Sequence, residues 1–173
     1  REFEFTTDSW AAGTNGPVRA KVYKLPRTMA ELEELGFEFE GAWVLCPANM
    51  GGFRRGADTP EAKAAREERA EIDKALEELH IAGRLVSSSN ELVLTGSVPR
   101  WRELTMETLP KGVVVQIRKS DHDAMATLLD AFEEVTVEVD LQHHFTPGPV
   151  PVYDTVAEIR GTERPDEVVI VSG

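Results

Sequence analysis

From residue 134 to residue 145 apolar and polar side chains alternate without a break. Val135, Val137, Val139, Leu141, His143 and Phe145 fall in one row, and Thr136, Glu138, Asp140, Gln142 and His144 in the other. A side-chain period of two is the geometry of extended backbone, and a run this long implies one buried face and one wet face. The segment predicts a long, half-buried strand, antiparallel to its neighbour. The rest of the chain must then supply further strands and a layer to cover the apolar row.

Those pieces are present. Residues 18–25 are rich in strand formers and end at Pro26, which suits a strand or a sheet edge. Residues 29–35 form a short helical patch stopped by Gly36. The apolar run of residues 42–46, Ala-Trp-Val-Leu-Cys, is too short for a helix and predicts a strand buried on both faces. Thr59 followed by Pro60 marks a helix start, because threonine caps the first turn and proline lacks only an N–H that would be unpaired there. Along that helix Ala65, Arg69, Ile72, Leu76 and Leu79 form one stripe, in which only the stem of Arg69 can be buried, and Gly83 ends it.

Residues 85–86 and 92–94 predict two short strands around a serine-rich turn, and residues 113–117 another. Ser120-Asp121-His122-Asp123 resembles a capping box, opening a helix whose stripe is Met125, Leu128, Leu129 and Phe132. Thr146-Pro147-Gly148-Pro149 then breaks the strand pattern and is the best linker in the chain. Beyond it lie residues 152–159 and the run Val168-Val169-Ile170-Val171. A run apolar on both faces belongs in the interior of a helix-covered sheet, and no helix follows it. The strand-like Phe3-Glu4-Phe5 at one end and this orphaned run at the other predict a fragment of a longer protein.

Charge and cysteine usage exclude several functions. With 31 acidic against 19 basic residues the formal net charge is -12, which argues against a nucleic-acid or anionic-membrane surface. No apolar stretch approaches the roughly 18 residues of a membrane-spanning helix. The single cysteine, Cys46, excludes an internal disulfide and a multi-cysteine zinc site, and its apolar surroundings predict a small buried hydrophobe.

The four histidines do not form a metal motif. His143 and His144 point to opposite faces of a strand, His80 lies near the end of one helix, and His122 in the first turn of another. Neither an HExxH pair nor a Gly-x-Ser-x-Gly nucleophile turn occurs, and Gly51-Gly52 lacks the following Lys-Ser/Thr of a phosphate loop. No catalytic residue and no metal or cofactor ligand is assigned in this chain. A possible interaction surface is formed by Trp10, in a turn-rich stretch, and by Phe53, Arg54 and Arg55, which bring an aromatic and two cations into an acidic chain. The alternative is an aromatic folded back on the core and two ordinary surface arginines.

Several of these segments resemble a known family. Residues 10–18, W-A-A-G-T-N-G-P-V, resemble the entry to the protease-associated domain of M28 peptidases of the carboxypeptidase Q-like group. Gly41-Ala42-Trp43-Val44-Leu45 is similar to that domain's G-K-I-V-L strand, and residues 109–145 to its L-P-x-V-V-V, helix, long-strand segment. The sharpest likeness is the tail. Residues 153–173, Y-D-T-V-A-E-I-R-G-T-E-R-P-D-E-V-V-I-V-S-G, resemble the family's Y-N-V-x-A-E-I-x-G followed by D-E-V-V-x-x-x-x-H-x-D, with Thr155 where asparagine is usual.

The resemblance implies an α+β fold: a β-rich, protease-associated-like domain over residues 1–148, built as a small sheet or open barrel with two main flanking helices. Residues 149–173 would be a C-terminal strand pair opening a truncated α/β catalytic domain, cut just before its first metal ligand. It implies a non-catalytic domain of a zinc aminopeptidase or carboxypeptidase-like exopeptidase, shaping access to the cleft or mediating substrate or subunit contacts. Two zinc ions would belong to the missing catalytic domain, the nearest partner would be that domain, and the location would be secreted or periplasmic. The rivals are a free-standing peptide- or protein-binding module, and a small enzyme whose site is not visible in the sequence.

Overall fold

The computed structural model describes residues 1–48, 59–149, 151–164 and 166–171. Among these residues six strands, β1 (Phe5–Thr6), β2 (Val18–Lys24), β3 (Trp43–Leu45), β4 (Gly83–Ser87), β5 (Val114–Ile117) and β6 (Thr136–Val139), form one mixed sheet in the order β1-β5-β4-β3-β2-β6. The inner four run parallel, and β1 and β6 close the ends antiparallel. The sheet curls into a half-barrel accompanied by three α-helices: α1 (Met29–Leu35), α2 (Pro60–Glu78) and α3 (Lys119–Asp130). The architecture is α+β, the fold class expected from the resemblance.

Each parallel connection needs a crossover; α-helices supply two of the three, and between β4 and β5 the chain crosses through residues 88–113 with only a short 3-10 turn at Trp101–Glu103. α1 links β2 to β3 and α2 links β3 to β4. Leu32, Ile72 and Leu76 from these helices pack with Val44, Cys46 and Phe39 on one face. The other face gathers Trp43, Leu45, Leu85, Val115, Ile117, Val137 and Val139 with Met125 of α3. β3 is therefore buried at all three positions, covered on both faces as well as flanked on both edges. The indole of Trp43 donates to the Val18 carbonyl at 3.3 Å, which satisfies its polar atom inside the core.

Local signals set the helix starts. Thr59 accepts from the amide of Ala62 at 3.2 Å with Pro60 first in α2, and Thr28 accepts from the amide of Glu31 at 3.2 Å at the start of α1. The second half of α2 is anchored through Ile72 and Leu76, each contributing about 1.5–3 kcal/mol by burial. Arg69 and Arg84 both pair with Asp73, the Arg84 contact being 2.7 Å, and so tie α2 to β4. Gly83 does not terminate α2. It opens β4 against the ring of Trp43.

Several expectations are corrected. Residues 92–94 form no strand, and Leu92 and Leu94 are exposed. Both edges of β4, the strand this run would fold back on, are already taken, by β3 and β5. The capping box at Ser120 does not form either. α3 starts at Lys119, with Arg118 at the cap position two residues before Ser120, and is capped from outside by Glu91, whose carboxylate accepts from the Ser120 amide at 3.0 Å and hydroxyl at 2.7 Å. Its buried face is Asp121, His122 and Met125, whereas Leu128 is exposed and Phe132 lies beyond the helix in left-handed backbone, almost wholly in water.

The long alternating strand pairs antiparallel with β2, but its ladder ends at Val139. Past that point the partner segment turns through Gly16 and Pro17, and Thr14 takes over: its amide donates to the Leu141 carbonyl at 2.9 Å and its hydroxyl accepts from the Leu141 amide at 2.8 Å. Gly13 permits this approach, since a Cβ there would sit 2.5 Å from that carbonyl. The in-out alternation of side chains nevertheless continues, with Leu141 buried and His143 and Phe145 half-buried.

The expected C-terminal strand pair does not form. Among the described residues no strand follows β6, and Val152, Val156, Ile159 and Val168–Val171 are all more than three-quarters exposed. A strand needs a neighbour for its N–H and C=O groups, and with none beside it the backbone is left to water.

Candidate functional site

Trp10 sits where the chain crosses itself. Ser9 forms an isolated parallel bridge to Ser97, its amide donating to the Gly96 carbonyl at 3.0 Å. This crossing holds Trp10 at φ +69, in left-handed backbone that costs a bulky residue of order 1–3 kcal/mol. The residue is 46% exposed, so it neither folds fully into the core nor stands free. Beside it is a shallow cavity of about 290 Å³ reached by Asp8, Thr95, His143 and Phe145. Phe53, Arg54 and Arg55, the other members of the expected surface, lie outside the described residues.

The histidines separate as their spacing suggests. His143 is a half-buried hydrogen-bonding residue: its Nδ1 lies 2.9 Å from the Ala11 carbonyl and its Nε2 3.4 Å from the Thr7 hydroxyl. Because a carbonyl only accepts, Nδ1 carries the proton in that contact. His80 and His144 are exposed. His122 is buried and binds the Cys46 carbonyl through Nε2 at 2.7 Å, which joins α3 to the end of β3. Its Nδ1 has no hydrogen-bond partner and faces Asp123 at 3.6 Å. The first-turn position in the sequence gave no sign of this burial.

Cys46 lies on the opposite face, among α1 and α2, and burial pushes its thiol above the usual range. Its sulfur is therefore a core group and not an activated nucleophile. Among the described residues no three His, Cys, Asp or Glu side chains come close enough to hold a metal ion. Asp121 is the buried carboxylate, and it is neutralised by Arg1, with Arg118 beside it at 3.8 Å.

Two deeper clefts remain. One, of about 500 Å³, lies at the carboxyl ends of β2 and β3, with Leu25, Leu45, Pro47 and His122 in its walls and Arg27 and Glu31 at its rim. The carboxyl ends of parallel strands are where open α/β sheets place their ligands. The second, of about 470 Å³, opens inside the curl of the sheet between the arm of residues 1–5 and β6. Leu85, Val115, Ile117 and Met125 form its floor. Neither cleft carries a nucleophile with a base in hydrogen-bond reach, so the described residues offer surfaces for binding and no assembled chemistry.

The architecture, a curled mixed sheet crossed by three helices, is one that occurs within a peptidase. The solved structure in question is the aminopeptidase from Aneurinibacillus sp. strain AM-1, matched at a TM-score of 0.50 and 17% identity over 82% of this chain and 28% of that one. At that identity the likeness is one of fold. This chain thus corresponds to about 28% of the aminopeptidase's length. No family model matches the sequence, and no curated protein matches it.

Proposed function

We propose that residues 1–148 are a protease-associated-like, non-catalytic domain of an M28-type zinc exopeptidase, and that residues 149–173 begin its catalytic domain. The observation that carries this reading is that most of the chain matches the fold of a segment making up 28% of an aminopeptidase. The tail's resemblance to the strand pair before a His-x-Asp zinc motif supports it independently. So does the exposure of Val168–Val171, which would be covered by the neighbouring strands of the catalytic sheet. The domain's work would be to shape the entrance of the cleft or to contact substrate or a second subunit, in a secreted or periplasmic enzyme. The described residues supply no donor set for the two zinc ions of such a parent, so no chemical step is assigned to this chain.

The test is direct. The parent chain should continue past Gly173 with His-x-Asp and hydrolyse aminoacyl or peptide substrates only with zinc bound. The 173-residue chain alone should be inert towards the same substrates with zinc added. Turnover by this chain that a chelator abolishes, or a stop codon after Gly173, would overturn the assignment. The second reading, a free-standing peptide- or protein-binding module, is favoured by one feature, the open sheet edge beside the cavity within the curl.

A further inference from the structure

We infer that the free edge of β6 and the cavity beside it accept one extended, basic segment of another polypeptide as a seventh strand. The hydrogen-bond register sets the available groups. The amide of Val22 donates to Val135, and Ala20 and Val18 stand opposite Val137 and Val139. In an antiparallel pair the groups that face the partner recur at every second residue. β2 therefore occupies Val135, Val137 and Val139, and the N–H and C=O groups of Thr136, Glu138 and Asp140 point away from it.

Those three residues line the cavity of about 470 Å³, whose far wall is Arg1, Phe3 and Phe5. An unpaired strand edge usually faces open water or is blocked by its neighbours. Here it faces a slot with an apolar floor, into which every second side chain of an added strand would point.

Charge identifies the occupant. Glu2, Glu138 and Asp140 at this slot make no ion pair among the described residues; of the cations near them, Arg1 is committed to Asp121 and stacked on the ring of Phe3, and Arg19, opposite Glu138 on β2, lies outside the lining and forms no ion pair with it. An incoming strand places its outward side chains directly opposite Glu138, where a cation is favoured and a like charge is not. The chain's own tail is a poor fit, because its apolar run follows Asp166 and Glu167. The occupant is thus a polypeptide segment alternating apolar residues with lysine or arginine. This inference does not depend on the peptidase reading, since a binding module would use the edge in the same way.

The experiment uses the 173-residue chain and three octapeptides: alternating valine and lysine, alternating valine and glutamate, and the lysine peptide N-methylated at alternate residues. Binding is read by titration and site by amide exchange. The lysine peptide should bind saturably and protect the amides of Thr136, Glu138 and Asp140. Glu138→Lys should weaken it about threefold to tenfold and improve the glutamate peptide. N-methylation should abolish binding even though it adds apolar area, because it removes the N–H donors and crowds the edge. No saturable binding, equal affinity for the acidic or N-methylated peptide, or protection confined to other strands would overturn the proposal. Concentration-dependent protection of residues 168–171 together with the β6 edge would overturn it in favour of the tail of a second copy.

Discussion

Gly83→Ala should unfold this protein far more easily than an ordinary glycine-to-alanine change. A Cβ at residue 83 would stand 2.6 Å from Cζ3 of Trp43, 2.6 Å from the Val113 carbonyl oxygen and 2.9 Å from Val113 Cβ. All three lie inside contact distance. Trp43 is wholly buried and cannot swing away, and the Val113 carbonyl is held by the Arg84 amide at 2.9 Å, the first bond between β4 and β5. Relief requires moving β4 away from β5 or repacking the indole. Overpacking of this kind costs about 1–3 kcal/mol, and loss of the ladder bond adds about 1 kcal/mol. The sum, about 2–4 kcal/mol, corresponds to a fall in Tm of roughly 5–15 °C for a chain of this size.

Gly112→Ala is the matched control, because nothing lies within 4 Å of a Cβ at that position. It should be neutral or stabilising by up to about 1 kcal/mol through the unfolded chain. Urea unfolding followed by tryptophan emission measures both, since Trp43 is buried whereas Trp10 and Trp101 are half-exposed. If Gly83→Ala unfolds within about 0.5 kcal/mol of the parent with Trp43 emission unshifted, the close packing of β4 on Trp43 is refuted.

Three further outcomes are expected. Leu76→Ala should cost about 2–5 kcal/mol, because the side chain is fully buried, and Phe132→Ala, at 98% exposure, should change stability little; urea midpoints decide, and a large loss at Phe132 would refute the placement of α3. The Glu91 carboxyl lies below its ordinary 4.5, held there by its hydrogen bond from Ser120. A depressed carboxylate stabilises the fold above its unfolded value and loses that effect as pH falls through the folded one, so Tm curves of parent and Glu91→Gln should differ at pH 6 and converge well below pH 4.5; a constant gap would refute the cap. Cys46, buried with its thiol pushed up, should resist a disulfide reagent at neutral pH and react once urea unfolds the chain, whereas fast native-state labelling would show that β3 is open.

What the residues revealed on their own was facing and start signals. The alternation of residues 134–145 set which side chains turn inward, even where the ladder itself stops at Val139. The apolar run at Trp43–Leu45 announced a strand covered on both faces, and Thr59-Pro60 fixed the start of α2, because capping and burial on every side are local demands. The same local logic failed wherever a distant partner decided the outcome. Ser120 gives up its capping box to Glu91, 29 residues away, and residues 92–94 lose their strand because β4, on which they would fold back, has no free edge.

The interaction surface divides in the same way. Trp10 was visible as a large aromatic in a turn, but its left-handed backbone depends on the Ser9–Ser97 crossing. The slot beside β6 has no signature in the sequence at all. It exists because the curl of the sheet brings the arm of residues 1–5 opposite β6, far along the chain, and only the folded chain sets which backbone groups are left unpaired there. Periodicity records which side of a strand is buried. It holds no record of which edge stays open, because an edge is defined by a neighbour that the chain itself does not provide.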